Sequence, residues 1–161
     1  MNDPATLRAL LAAALTLAGA CALAQGRIHP DPAKPQPGFK PHQLPFETPR
    51  DSVARPQFRS APFYAVILKT VARCSPVEKE RAELQKLFPA NKVFAPMFEC
   101  EQEPEDAIRY TNVNPKLGFI AVYAGADIEE AEEFLAGVEQ MALFPGANLR
   151  RMQAVLVYPR N

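Results

Sequence analysis

Phe63-Tyr64-Ala65-Val66-Ile67-Leu68-Lys69-Thr70-Val71, followed by Ser75-Pro76-Val77-Glu78, is the passage that decides the fold. The first nine residues are short, β-branched and aromatic, which marks a strand. In the next four, a serine at the cap, a proline at the first helical position and a glutamate three beyond the cap predict a helix start. Val77, Arg81, Leu84, Leu87 and Phe88 give that helix one face, and Pro89 stops it. Lys92-Val93-Phe94-Ala95-Pro96-Met97-Phe98 reads as a second strand, placed at a sheet edge because Pro96 cannot donate to a ladder. Residues 99–117 read as an irregular acidic insertion, with a helical turn or two at Pro104–Tyr110. Gly118–Ala124 is a third strand, and Asp127-Ile128-Glu129-Glu130 caps a second helix through Ala142 that Pro145-Gly146 ends. Gln153–Tyr158 is the last strand. The order β-α-β-β-α-β predicts an α+β, ferredoxin-like fold: one four-stranded antiparallel sheet with two helices on one face. In that fold strands one and two run parallel with strand three between them.

Upstream the character changes. Between Gln25 and Ser60 stand eight of the chain's seventeen prolines, with no apolar period, so 25–60 is expected to be a disordered, extended linker. It carries six basic residues against three acidic ones, and both histidines, His29 and His42. Before it, Arg8, the apolar run 9–24 and Ala22-Leu23-Ala24 have the layout of a cleaved signal peptide, 1–24. The run is shorter than the ~20 residues of a bilayer span. Leu17-Ala18-Gly19-Ala20-Cys21 also looks like a lipobox, with Cys21 the residue to be lipidated. The expected location is therefore periplasmic or secreted, with a membrane-anchored lipoprotein as the variant and no transmembrane span in the mature chain. The folded domain is 61–161. The whole chain of 161 residues has 18 basic and 18 acidic residues, which argues against a nucleic-acid partner.

Cys74 and Cys100 remain as an even pair in an exported chain, most simply a disulfide; free thiols or a bond to another chain are the alternatives. Each follows one of the two parallel strands, so both fall at the same end of the sheet. Closing the loop stabilises the domain by roughly 3–4 kcal/mol on chain entropy. No histidine follows His42, which excludes a Ser-His-Asp or Cys-His site within the domain. There is no glycine-rich phosphate loop, and the cysteine spacing is not that of a redox or zinc pair. The acidic cluster Glu99, Glu101, Glu103, Glu105 and Asp106 lacks the spacing of a calcium loop and reads as a solvated loop. The chain is expected to be no enzyme, with neither cofactor nor metal.

Strand alternation sends Val66, Leu68, Ile120, Val122 and Ala124 toward the helices. Ala65, Ile67, Lys69, Ala121 and Tyr123 are then expected on the open face, with Arg150 and Arg151 at one end just before the last strand. An apolar face with one lysine and one tyrosine can stack a sugar and meet a lactyl carboxylate, and it can equally meet a protein.

On the opening strand Phe63–Leu68, and on Gly118–Gly125 followed by Ile128-Glu129-Glu130-Ala131-Glu132-Glu133-Phe134-Leu135, residues 61–159 resemble the SPOR family of bacterial envelope modules. The resemblance implies binding of peptidoglycan glycan strands lacking stem peptides on the open sheet face. The expected function is a non-catalytic cell-envelope binding module. The alternative is a periplasmic protein-interaction module, such as an inhibitor or immunity factor for a toxin or enzyme.

Overall fold

The computed structural model describes residues 25–48, 57–96 and 108–157. These residues hold β1 (Gln25–Gly26), β2 (Gln57–Ser60), β3 (Phe63–Ala72), α1 (Glu78–Leu87), β4 (Val93–Phe94), β5 (Ile108–Tyr110), β6 (Leu117–Gly125), α2 (Ile128–Gln140), β7 (Asn148–Met152) and β8 (Ala154–Val157). The architecture is α+β, but with two four-stranded sheets where one was expected.

The first sheet has the order β4-β6-β3-β7 and is antiparallel throughout. β4 lies at its edge and runs parallel to β3 across β6. Val66, Leu68, Ile120, Val122 and Ala124 share one core with Ala131 and Val138 of α2 and with Val77 and Phe88, which flank α1. That face follows the alternation of the strands. At Leu68 the alternation slips: Ile67 opposes Ala121 and Lys69 opposes Ile120, so one residue of β3 is extra. Such a bulge reverses the facing of everything beyond it.

The helix starts differ from one another. Asp127 caps α2, its carboxylate accepting from the N–H groups of Glu129 (2.8 Å) and Glu130 (3.3 Å). Ser75 caps nothing; Val77 stands at the N-cap of α1 with no side-chain bond, and the Ser75 N–H donates to Ala72 in a turn. The Glu78 carboxylate turns instead to Arg81, taking bonds of 2.8 and 2.9 Å from its guanidinium. Arg81 is buried and also donates to the Val93 carbonyl, tying α1 to the edge strand.

The second sheet, β1-β2-β8-β5, is mixed, since β1 runs parallel to β2 while the other pairs are antiparallel. It covers the far face of the first sheet. Phe58, Ile108, Tyr110 and Ala154 pack with Ala65, Ile67, Phe94, Phe119, Ala121 and Met152 in a second core. Tyr110 lies 4.9 Å from Phe94 and 5.7 Å from Phe119, ring centre to ring centre. Burial pushes its hydroxyl far above the ordinary tyrosine range.

Three expectations change here. The described part of the proline-rich stretch is packed rather than extended in solvent. Leu44 and Phe46 are fully buried, and Phe46 stacks on Phe58 at 6.1 Å. The Leu44 N–H donates to the Tyr110 hydroxyl, and Ala95 donates to the His42 carbonyl. Prolines lack an N–H, so such a segment enters a core with fewer donors to satisfy. Within the insertion, Ile108–Tyr110 forms a strand and not a helical turn, alternating buried, exposed, buried. Arg150 and Arg151 lie inside β7, an additional strand just before the expected last one; the expected strand at Gln153–Tyr158 is represented by β8, which joins the second sheet while β7 pairs with β3 in the first. The expected signal peptide 1–24 with Cys21, Cys100 and the acidic cluster 99–106 lie outside the described residues. Cys74 is disulfide-bonded.

Two of the four chain crossings between the sheets, β2 to β3 and β7 to β8, meet at one half-buried corner. The Ser60 hydroxyl accepts from the Ala154 N–H at 2.9 Å, and the Gln153 side chain donates to the Ser60 carbonyl at 3.1 Å. Thr111, just past β5, exchanges bonds with Gln153: hydroxyl accepting at 2.9 Å, N–H donating at 3.0 Å. Ser60→Ala strands the Ala154 N–H and is expected to cost about 1–3 kcal/mol in urea unfolding. Ser75→Ala, which breaks no cap, is expected to stay within about 0.5 kcal/mol.

His42 lies beside Glu78, Arg81 and Lys92. Burial holds its imidazole below the usual 6.5, helped by Lys40, Arg81 and Lys92 and opposed by Glu78. The bond from Arg81 holds the Glu78 carboxyl below its usual 4.5, against its own desolvation. Both folded-state values are depressed, so both contributions are full above the unfolded-state value and are lost as pH falls through the folded one. Urea midpoints are expected to fall in two steps on acidification, the first below pH 6.5 from His42 and the second below 4.5 from Glu78. His42→Phe is expected to remove the first step alone; an unchanged profile would show that His42 is not the group responsible.

Candidate functional site

The seven residues expected on one open face do not share it. Ala65 and Ala121 are wholly buried and Ile67 nearly so, beneath the second sheet. Tyr123 is half-buried against Phe63, 5.8 Å between rings, and burial, then Glu130, raises its hydroxyl above the usual range. Lys69, past the bulge, faces the helices and pairs with Glu80 at 2.9 Å. Arg151 stands opposite Tyr64, while Arg150 stands opposite Ala65 on the covered face.

The second sheet leaves one corner of that face uncovered. There Asn148 opposes Ile67, and Arg150 lies two residues along on the same side. A groove of about 450 Å³ opens between these residues and the turn that begins at Asn112. Ile67, Phe119 and Leu117 supply its apolar lining, and Thr70, Asn112, Asn114, Asn148 and Arg150 its polar groups. Of the seven expected residues, only Ile67 and Arg150 line it.

Local chemistry shapes the rim. Asn112 takes a left-handed backbone, φ 59°, which asparagine tolerates better than most residues. Its side-chain amide donates to the Arg151 carbonyl at 3.2 Å, fastening the turn to β7. Asn114 accepts from the Lys116 N–H at 2.9 Å. Asn148 accepts from Arg150 Nε at 2.8 Å while donating to the Gly146 carbonyl at 3.1 Å. The guanidinium is thus held at one nitrogen, and its two terminal nitrogens have no partner among the described residues. A planar fork held in this way suits a carboxylate or phosphate edge.

The described lining contains no carboxylate, imidazole or thiol, so these residues can bind and orient but offer no general base. Among the described residues no group of histidines, cysteines or carboxylates could hold a metal ion. No helix among them is long and apolar enough to cross a membrane. Asn112, Asn114 and Asn148 were not among the expected site residues. The run Asn112-Val113-Asn114-Pro115 is a turn signal in the sequence, but nothing in it points across the chain to β7. Compared with family models, curated proteins and solved structures, the chain matches none.

The placement of Lys69 carries its own expectation. As half of an exposed ion pair, it should contribute at most about 0.2–1 kcal/mol, and Lys69→Ala should shift the urea midpoint accordingly and weakly. A larger loss would mean that Lys69 holds more than Glu80.

Proposed function

We propose that the chain is an exported, non-catalytic envelope-binding module that takes a peptidoglycan glycan strand in the Arg150 groove. The observation that carries this reading is the Arg150 guanidinium, held by Asn148 at the mouth of a groove lined by amides and a hydroxyl over apolar side chains. Amide side chains both donate to and accept from sugar hydroxyls. A muramic acid lactyl carboxylate is a match for the two terminal nitrogens of Arg150. The volume lies in the range of small-ligand sites.

The order β4-β6-β3-β7, with helix-borne residues in one of its two cores, supports reading the first sheet as a ferredoxin-like βαββαβ unit. On that reading the SPOR resemblance belongs to this unit, and the second sheet is an addition. Because the addition occupies the middle of the face such modules leave open, the ligand is assigned to the corner and not to Ala65, Ala121 or Tyr123.

Co-sedimentation with sacculi stripped of stem peptides tests this. The purified protein is expected to be retained, and Arg150→Ala to weaken retention about tenfold or more, the usual worth of a charge-assisted bond. Lys69→Ala is expected to leave retention unchanged. Failure to sediment, or retention indifferent to Arg150, would overturn the reading.

A further inference from the structure

Helix α2 carries Glu129, Glu130, Glu132, Glu133 and Glu139 and no lysine or arginine, in a chain whose total charge is zero. None of these carboxylates forms an ion pair among the described residues. Phe134, Gly137 and Met141 continue the line of Glu130 along the helix at spacings of four, three and four. Between this line and Phe88, at the end of α1, lies a shallow groove of about 390 Å³. Its lining is Phe88, Phe134, Gly137, Val138 and Met141, with Glu130 and Glu133 as the charged members. The rings of Phe88 and Phe134 are 5.9 Å apart. Leu87, next to Phe88, is 49% exposed and Leu143, just past α2, is 60% exposed.

Gly137 is the telling residue. Glycine inside a helix lowers its stability relative to alanine. Here the backbone does not require it: φ is not positive, and a Cβ added at this position would meet nothing within 4 Å. The absent side chain leaves the groove open at this point.

We propose that this groove receives a basic amphipathic helix of a partner protein. Its apolar side chains seat against Phe88, Phe134 and Met141, and its lysines or arginines lie opposite Glu130 and Glu133, the recurring helix-in-groove mode. Charge selects this occupant over others. A second copy docked face to face would set glutamates against glutamates, and an anionic membrane would be repelled. The groove is on a different face from Arg150, so this inference does not rest on the glycan reading.

The probe is a synthetic Leu/Lys amphipathic helix of about four turns, compared with a Leu/Glu peptide of the same pattern, by fluorescence anisotropy on the purified protein. The Leu/Lys peptide is expected to bind, and to weaken about tenfold or more from low salt to about 0.5 M salt, where screening is short-ranged. The double variant Glu130→Lys, Glu133→Lys is expected to reverse the preference between the peptides. Gly137→Ala is expected to melt a few degrees higher and yet bind more weakly, which separates lost docking from lost folding. Arg150→Ala should bind the peptide as the parent does. Equal binding of both peptides, or a Gly137→Ala protein that binds undiminished, would overturn the proposal. So would a dimer in sedimentation that Gly137→Ala dissolves, since the occupant would then be a second copy.

Discussion

Four bonds at one half-buried corner hold the two sheets in register. Ser60 ends β2 and Gln153 separates β7 from β8, so each marks one of the four points where the chain passes from one sheet to the other. Bonding Ser60 to Ala154 and to the Gln153 side chain fixes the two crossings against each other. The two bonds between Thr111 and Gln153 add the end of β5 to the same point. With the corner set, the second sheet can lie only where Phe58, Ile108 and Tyr110 meet Phe94 and Phe119. The Ser60 hydroxyl at its centre is buried and satisfied, and no described buried side-chain nitrogen or oxygen lacks a partner. In a low-dielectric interior such a network specifies one arrangement, because any slip leaves donors without acceptors.

The local parts of this structure were legible in the sequence. Alternation in Phe63–Val71 and Gly118–Ala124 placed Val66, Leu68, Ile120 and Val122 against the helices, where they are. Asp127 announced α2, and Pro96 announced an edge strand. What escaped was long-range. The second sheet is assembled from strands of two to four residues, drawn from positions 25 to 157, and no window of sequence contains two neighbours from it. The trio Leu44-Pro45-Phe46 is apolar but too short to show a period. The Leu68 bulge defeats alternation with no residue to mark it, so Lys69 was assigned to the wrong face. Adjacent arginines at 150 and 151 do not look like a strand, though one points to each side of β7.

The candidate site inherits those gaps. One of its residues, Ile67, comes from a strand whose facing follows from alternation. Thr70 lies past the bulge in β3, Leu117, Gly118 and Phe119 come from β6, and Asn112, Val113 and Asn114 come from a turn; Asn148 and Arg150 join them only when β7 pairs with β3. The second sheet on the far face does more than fill a core. It leaves uncovered a corner whose side chains are three amides, one hydroxyl and one guanidinium over an apolar floor.

The second sheet also sets an order of events. β1 is completed by β2, and β2 by β8, so the earliest and latest described segments to leave the ribosome are bound in the same sheet. Pairings this distant in sequence close slowly, and only after the whole chain is available. Until β8 arrives, Phe46, Phe58 and Tyr110 have no enclosed core to enter. The core enclosed by the two sheets is therefore completed only when the last described strand has joined, whatever the first sheet has formed before it.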